Sequence, residues 1–348
     1  MSTLLEVVQL RKHFPIKGGL LNRTTATVRA VDGVSFTVEA GETLGVVGES
    51  GCGKSTTARL TMHLLTPDEG TIVFDGKTVG SSQMPLRTLR RQMQMVFQDS
   101  FASLNPRLTI EESIAFGPQV HGVSGKEARE RARDLLAKVG LNPAQFIRRY
   151  PHELSGGQRQ RVNIARALAL QPRLLILDES VSALDKSVQA QVLNLLSDLK
   201  AEFGLTYLFI SHDLHVVKYM ADRVMVMYLG KVAEIGPVQA LYEKPLHPYT
   251  AGLLSAMPSL DPDNRTSAPP LAGDPPNPIN PPSGCRFRTR CPHAEEVCAN
   301  AEPKLAAVGA DRLAACHMVN PDSGHSKAGT GVEVPLIPSL LKKAEAVA

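Results

Sequence analysis

Residues 43–55 read TLGVVGESGCGKS, and this stretch decides the fold. A short apolar run, Thr43–Val47, leads directly into Gly48–Ser55, which fits the phosphate-loop pattern G-x-x-x-x-G-K-S/T in full. A helical pattern follows over residues 56–65. Glycines let backbone amides approach phosphate oxygens, and the start of the next helix adds partial positive charge. The sequence therefore predicts a phosphate-binding loop between a buried strand and a helix.

Every residue of this loop is a candidate contact for a nucleoside triphosphate. The Lys54 ammonium can reach the β- and γ-phosphates, and the Ser55 hydroxyl can hold Mg²⁺. The remaining candidates are Gly48, Glu49, Ser50, Gly51, Cys52, Gly53 and Thr56.

An acidic pair follows a second buried strand. LLILD at 174–178 is a continuous apolar run ending in Asp178, with Glu179 next. At the carboxyl end of a parallel strand, such side chains point into the crevice where ligands bind. Asp178 is therefore a candidate for the Mg²⁺ shell, and Glu179 is a candidate general base that orients or deprotonates water.

The hydrophobic patterns predict an α/β fold. Residues 4–13 and 27–38 alternate apolar and polar positions, which is typical of antiparallel strands, and residues 206–211 form another buried strand. Residues 108–170 have helical spacing and many charges, which predicts a helical subdomain inserted into the fold. The predicted ATPase domain covers residues 1–257.

Composition narrows the classes of function. The 348 residues are 43% hydrophobic and carry a net charge of +4, which does not suggest a nucleic-acid binder. No apolar run approaches the roughly 18 residues that a membrane-spanning helix needs.

Three C-terminal parts are predicted after the ATPase domain. They are a proline-rich linker at 258–284, a cysteine-rich metal-binding segment at 285–320 and a weakly ordered tail at 321–348.

A second glycine-rich helix start is LSGGQ, at Leu154–Gln158. Ser155, Gly156 and Gly157 offer bare amides and a hydroxyl to an anion, and Gln158 completes the motif. One nucleotide does not need two such cradles in one chain. The two motifs therefore predict head-to-tail pairing, in which the second cradle covers the ATP of a partner.

The chain resembles the ATPases of ABC transporters over about residues 4–257. The resemblance rests on the order GESGCGKS, Gln98, LSGGQ, LLILDE, SALD and His212. It implies that Phe14 stacks on adenine, with His13 the less favoured choice. It also implies that Gln98 contacts Mg²⁺ and the membrane subunit, that Ser182–Asp185 couples two ATP sites, and that His212 acts on the γ-phosphate with Glu179. Ser180 departs from the proline usual in the family.

Three stretches outside these motifs resemble the oligopeptide/dipeptide branch: FQDSFASLNPR, YEKPLHPYTAGLLSAMP and CRFRTRCP. This resemblance implies two transmembrane permease subunits, a second related ATPase, an extracytoplasmic peptide-binding protein and a place at the cytoplasmic face of the bacterial inner membrane. Relatives of the branch also carry nickel or glutathione. The other readings are a soluble ABC-type ATPase, an exporter subunit and a regulatory metal-binding protein.

Four of the five cysteines lie near the C-terminus, with the spacing C-x5-C-x6-C-x17-C. Structural zinc sites usually use close C-x2–4-C pairs, whereas iron–sulfur clusters take four cysteines. Some ATPases that the chain resembles hold a 4Fe-4S cluster in this segment. The predicted ligands are Cys285, Cys291, Cys298 and Cys316. Zn²⁺, with His293 or His317 as further ligands, is the alternative, and free thiols or disulfides also remain open.

Overall fold

The protein is described from a computed structural model, which covers residues 2–18, 23–257, 271 and 273–329. The strands are β1 Thr3–Gly18, β2 Arg23–Glu39, β3 Thr43–Val47, β4 Glu69–Phe74, β5 Lys77–Thr78, β6 Met93–Val96, β7 Leu174–Asp178, β8 Thr206–Ile210, β9 Arg223–Tyr228, β10 Lys231–Pro237, β11 Ala306–Ala307 and β12 Leu313–Ala314. The α-helices are α1 Lys54–Thr61, α2 Leu86–Gln92, α3 Ile110–Val120, α4 Gly125–Lys138, α5 Pro143–Phe146, α6 Gly156–Leu168, α7 Lys186–Phe203, α8 Leu214–Met220, α9 Val238–Glu243, α10 Pro248–Ser255 and α11 Glu296–Asn300.

Two sheets form the framework. The first is antiparallel, in the order β2-β1-β4-β5. The second has the order β11-β12-β10-β9-β3-β8-β7-β6, and its strands from β9 to β6 are parallel. In a parallel sheet the carboxyl ends of the strands lie at one edge. The loops after β3, β7 and β8 therefore meet there, and these loops carry the predicted site.

The parallel strands separate two apolar cores. Leu174 and Ile176 of β7 pack in the core under the antiparallel sheet, while Leu175 and Leu177 pack in the core under the helices. All four are 0% exposed. Continuous apolar runs suit strands covered on both faces, which explains why the sequence revealed these strands so clearly.

The inserted helices begin at ordinary capping residues. Thr109 starts α3 with a capping box shared with Glu112, and Ser124 starts α4 by accepting from the amide of Glu127. Gly140 follows the end of α4 with φ +75°, which glycine adopts easily. The region predicted at 108–170 to be a helical subdomain contains four α-helices, α3 to α6, and one short 3-10 helix at Pro151–Glu153.

The elements differ from the sequence expectation in two places. The sequence predicts one strand over residues 71–79, but Asp75 and Gly76 have positive φ and turn the chain between β4 and β5. The predicted strands 4–13 and 27–38 are longer in the structure, because each continues into one hairpin. The sequence also predicts a loop from Lys17 to Thr25 between these two strands, and residues 19–22 of that loop lie outside the described residues.

The cysteine-rich segment joins the central sheet. Strand β12 pairs with β10 through Glu234 and Ala314, and Arg312 donates to the fully buried Glu234 carboxylate at 2.6 Å. Residues 321–329, at the start of the predicted tail, pack back on this segment, where the His325 ring lies 2.9 Å from the His293 carbonyl oxygen. The described residues leave out part of the predicted linker, residues 258–270 and 272, and most of the predicted tail, residues 330–348.

Over the parts of the chain that the structure describes, no helix combines the length and the apolar character needed to cross a bilayer.

Candidate functional site

Glycines shape the phosphate loop because other residues would collide there. A Cβ on Gly48, where φ is +149°, would lie 2.2 Å from the Met227 carbonyl oxygen. A Cβ on Gly53, where φ is +106°, would lie 2.3 Å from the Ala30 carbonyl oxygen. Both values are far below a normal contact. The loop is thus pressed against β2 and β9, and its backbone is shaped as a phosphate cradle requires.

The Lys54 side chain is folded into this loop. Its Nζ donates to the carbonyl oxygens of Gly48 at 2.7 Å and Glu49 at 3.1 Å, and the residue is only 5% exposed. An ammonium inside a ring of backbone groups is the usual partner of β- and γ-phosphates. The residues therefore fit the triphosphate predicted from the sequence.

Ser55 and Asp178 form the pair expected around Mg²⁺. The Ser55 hydroxyl donates to Asp178 Oδ1 at 2.7 Å, although the two residues are 123 positions apart. Burial raises the pKa of Asp178, while this hydrogen bond and Arg59 act in the opposite direction. Oxygen ligands of this kind match the preference of Mg²⁺.

Glu179 lies at the centre of the predicted catalytic group. Its Oε2 accepts from Gln98 Nε2 at 3.1 Å and lies 3.3 Å from His212 Nδ1. Its own φ is +46°, an unfavourable value for a residue with a side chain. Such strain persists only where the surroundings impose it, and it is common at functional sites. The structure thus brings Gln98, Glu179 and His212 together.

The LSGGQ segment lies elsewhere on the surface. Ser155 is the N-cap of α6 and is exposed, and it forms a capping box with Gln158 over 3.3 and 3.0 Å. A Cβ on Gly157 would lie 2.5 Å from Val188 Cγ1, so α6 packs closely on α7 and any other residue there would force the Val188 side chain to move. Between described residues, the segment makes no hydrogen bond or ion pair with the phosphate loop of its own chain.

The two candidates for adenine stacking differ in their contacts. Phe14 is on β1 and is 37% exposed, with Lys12 Nζ 5.8 Å from its ring centre. His13 Nε2 lies 3.4 Å from Asp32 Oδ1, which ties its ring to a carboxylate. The His13 side chain is 33% exposed, so exposure alone does not separate the two rings, and adenine stacking on Phe14 stays a prediction from the resemblance.

Sequence reasoning missed the partners of Glu49. Its carboxylate accepts two hydrogen bonds from Arg290, at 2.8 and 3.0 Å, and its backbone amide donates to the Tyr249 hydroxyl at 2.9 Å. Both partners lie about 200 or more positions away, so no local pattern could identify them. The only signals were two motifs quoted for their resemblance, HPY and CRFRTRCP.

The four C-terminal cysteines do not form a metal site in the described residues. No group of three or more His, Cys, Asp and Glu side chains there is arranged to hold a metal ion, and all five cysteines are free thiols. Burial, with some repulsion between neighbouring thiolates, raises the pKa of Cys285 to about 11 and that of Cys316 to about 12. His317 Nε2 lies 2.9 Å from the Ala301 carbonyl oxygen. The structure gives the predicted cluster and the alternative zinc site no support.

Two family models match the sequence. Residues 31–182 match the model described as ABC transporter, which spans the phosphate loop, LSGGQ and Glu179. Residues 233–298 match the model described as the C-terminal region of oligopeptide/dipeptide transporters, which includes Tyr249 and Arg290.

Curated relatives match nearly the whole chain. The oligopeptide transport ATP-binding protein AppF of Bacillus subtilis is 51% identical over 91% of this chain and 98% of its own. The di/tripeptide transport ATP-binding protein DppF of Pseudomonas aeruginosa is 49% identical over 91% of this chain and 98% of its own.

Solved structures match the fold. The cbiO1 protein of Clostridium perfringens, part of an ABC transporter complex, has a TM-score of 0.59 and 28% identity over 70% of this chain and 91% of its own. A dimeric ATP-binding cassette with ADP and Pi has a TM-score of 0.59 and 29% identity over 68% of this chain and 99% of its own.

The fold and the site define a phosphate-loop ATPase. Within that class, the chain belongs to the family of ABC transporter ATP-binding subunits.

Proposed function

We propose that this chain is the ATP-hydrolysing subunit that powers a bacterial ABC importer of oligopeptides or dipeptides. The proposal of ATP hydrolysis rests on one observed arrangement. The Ser55 hydroxyl donates to Asp178, and beside it the Glu179 carboxylate lies within hydrogen-bond distance of both Gln98 and His212. The match of residues 233–298 to the peptide-transporter C-terminal region supports the choice of cargo.

Within the cleft, the chain's own groups divide the work. Lys54 and the amides of the phosphate loop bind the β- and γ-phosphates, and Ser55, Gln98 and Asp178 would hold Mg²⁺. The ion neutralises charge on the transferred phosphoryl group when it is bound. Glu179 orients the attacking water and accepts its proton, while His212 holds the Glu179 carboxylate and reaches the γ-phosphate. Positioning and electrostatics account for most of the catalysis.

The exposed LSGGQ segment supports a site completed by a second chain. Ser155, Gly156, Gly157 and Gln158 of one cassette would cover the ATP in the phosphate loop of the other, so that ATP joins the two cassettes and hydrolysis separates them. The partner is a related ATPase. Two permease subunits and an extracytoplasmic peptide-binding protein complete the complex, with the ATPases at the cytoplasmic face of the inner membrane.

The relatives' names favour peptides, since they specify oligopeptides and di/tripeptides. Nickel or glutathione is the alternative cargo. A soluble ABC-type ATPase remains the alternative of another class, and copurification with permease subunits separates it from the importer.

Reconstitution in vesicles tests this function. The chain, its related ATPase, the permeases and the binding protein should take up labelled peptide only with ATP, and Glu179→Gln should abolish uptake. Uptake of nickel or glutathione with no uptake of peptide would show that the transported substrate is not a peptide. Failure to associate with any permease would contradict the importer.

For the cysteine-rich segment, the 4Fe-4S cluster remains a prediction from the sequence alone. Protein purified without oxygen should be brown and absorb broadly near 400 nm, a general property of such clusters, and Cys291→Ser should bleach it. Colourless protein with one zinc per chain would show that the segment binds zinc instead of an iron–sulfur cluster. Protein without either metal would agree with the described thiols.

A further inference from the structure

Glu49 is the acidic residue of the phosphate loop GESGCGKS, and it is bound by the cysteine-rich segment. Arg290 reaches it from 241 positions away and donates to both carboxylate oxygens, at 2.8 and 3.0 Å. The Arg290 side chain is 5% exposed and that of Glu49 is 24% exposed. A paired, two-bond contact with this little water is stronger and more directional than a surface ion pair.

The backbone of the same residue is fixed by a second contact. The Glu49 amide donates to the hydroxyl of Tyr249, a residue of α10 that is 0% exposed. Its ring packs on Tyr228 at 4.5 Å and on Phe287 at 5.4 Å between ring centres, and Arg290 Nη1 lies 3.5 Å from the Tyr228 hydroxyl. The C-terminal region therefore holds both the side chain and the amide of one loop residue.

The charge of Glu49 explains why this contact matters for the nucleotide. The loop is built to receive phosphates, and a free carboxylate five residues before Lys54 would repel them and compete for the ammonium. Opposite charges within hydrogen-bond distance cancel most of each other's field. With Arg290 in place, Glu49 presents little net charge to a triphosphate.

We propose that Arg290 is a positioning residue for nucleotide binding: it neutralises and orients Glu49, and so makes the affinity of the phosphate loop depend on the folded cysteine-rich segment. The inference rests on the proposed ATP site and adds to it a residue outside the matched ABC transporter region, 31–182. Loss of Arg290 leaves a partly buried carboxylate unpaired in the loop, which is costly both to the loop and to an approaching anion.

Arg288 provides a matched control. It lies two positions before Arg290 in the same segment, carries the same charge and donates to the carbonyl oxygen and hydroxyl of Ser283 instead of the phosphate loop. Arg288→Gln removes the same net charge from the same segment. An effect confined to Arg290→Gln therefore comes from the contacts of Arg290 itself and not from the net charge of the segment, and the double variant with Glu49→Gln below singles out the contact with Glu49.

The experiment measures the dissociation constant of ATP for the full chain, together with the unfolding midpoint without nucleotide. Arg290→Gln should raise the dissociation constant about tenfold, equivalent to about 1.4 kcal/mol. Arg290→Lys should restore part of the loss, because lysine keeps the charge but not the paired geometry. Arg288→Gln should bind as the parent does. Adding Glu49→Gln to Arg290→Gln should return the affinity towards the parent value, since the repelling charge is gone.

Several results would overturn the inference. One is an unchanged affinity in a folded Arg290→Gln variant, and another is an equal loss in Arg288→Gln. A double variant that binds no better than Arg290→Gln would also remove the electrostatic role. If Arg290→Gln does not fold, Arg290→Lys decides, because it keeps the charge but loses the paired geometry: a severalfold rise in the dissociation constant is expected, and an unchanged affinity would contradict the proposal. A parent chain that does not bind ATP would instead refute the proposed function.

Discussion

The two glycine-rich helix starts of this chain, the phosphate loop and LSGGQ, have similar local chemistry but different surroundings. Around the loop, Lys54 is buried and donates to loop carbonyl oxygens, and Ser55 donates to Asp178. Around LSGGQ, the hydrogen bonds of the exposed Ser155 in the described residues stay within the start of its own helix: a capping box with Gln158, and its carbonyl oxygen accepts from the Arg159 amide.

This difference shows that a helix start becomes a catalytic site only when other elements add charges and a base to it. The phosphate loop receives them from β7, β8 and the segment after β6, because the ends of parallel strands meet at one edge. Between described residues, LSGGQ makes no hydrogen bond or ion pair with the phosphate loop or with Glu179. The proposed head-to-tail pairing follows from this difference, because the phosphate loop of a second cassette would supply what LSGGQ lacks.

The largest expected effect is the loss of ATP hydrolysis when the general base, Glu179, is replaced. Glu179→Gln should lower ATP turnover of the assembled complex about a thousandfold, within the range that a positioned general base contributes. Nucleotide affinity should stay near the parent value, because the carboxylate acts on water. Steady-state hydrolysis and equilibrium binding check the two parts, and a variant that hydrolyses ATP at a near-parental rate would exclude Glu179 as the base.

The second effect separates the two helix starts. Ser155→Arg should stop hydrolysis at the site whose phosphate loop lies in the partner, while its own phosphate loop still binds ATP. Ser124→Arg is the matched control, since Ser124 is also an exposed N-cap in the helical subdomain. Each change should cost about 1 kcal/mol of stability through the lost cap. Equal losses of hydrolysis in both variants would mean that LSGGQ acts only as a helix cap.

The third effect concerns binding at the phosphate loop. Lys54→Ala should raise the dissociation constant of ATP at least about tenfold, as expected for a lost hydrogen bond to a charged group worth roughly 1.5–3 kcal/mol. Lys126→Ala, an exposed lysine of α4, is the control and should bind ATP normally. Titration with a fluorescent nucleotide measures both, and an unchanged affinity for Lys54→Ala would contradict the loop assignment.

The smallest effect concerns α10, which carries the Tyr249 that supports the loop. Its N-cap is His247, and burial lowers the pKa of this histidine to about 4. Between pH 6.5 and 4 the unfolded chain binds a proton that the folded chain does not. The free energy of unfolding should therefore fall on acidification, by up to about 1.4 kcal/mol per pH unit. The cap accepts from the Tyr249 amide through His247 Nδ1, so His247→Asn keeps a capping acceptor, in its side-chain oxygen, and should flatten this slope; chemical unfolding between pH 4 and 7 measures it. An equal slope in the variant would assign the pH dependence to other groups.

Much of this arrangement was predictable because it is local in sequence. β3 and β7 have the predicted bounds, since continuous apolar runs mark strands buried on both faces. The phosphate loop, Asp178 and Glu179 follow such strands directly. β9, β10 and α2 were not predicted, and β12 could not be, because a two-residue strand has no pattern of its own.

The contacts of Glu49 were beyond prediction for a different reason. Arg290 and Tyr249 lie in motifs that the sequence related only to the cargo branch, and nothing in their spacing indicates that they reach the loop. Long-range pairs depend on how β10, α10 and the cysteine-rich segment pack, which the local sequence does not specify.

The central claim is that ATP joins two cassettes across the phosphate loop of one and LSGGQ of the other. Sedimentation of the Glu179→Gln chain with its related ATPase, with and without Mg²⁺ and ATP, tests it most directly. We predict a species with the mass of two cassettes only in the presence of nucleotide. This species should be absent when Ser155→Arg is introduced in this chain and the equivalent substitution is introduced in the related ATPase. Separate monomers that are saturated with ATP would contradict the claim.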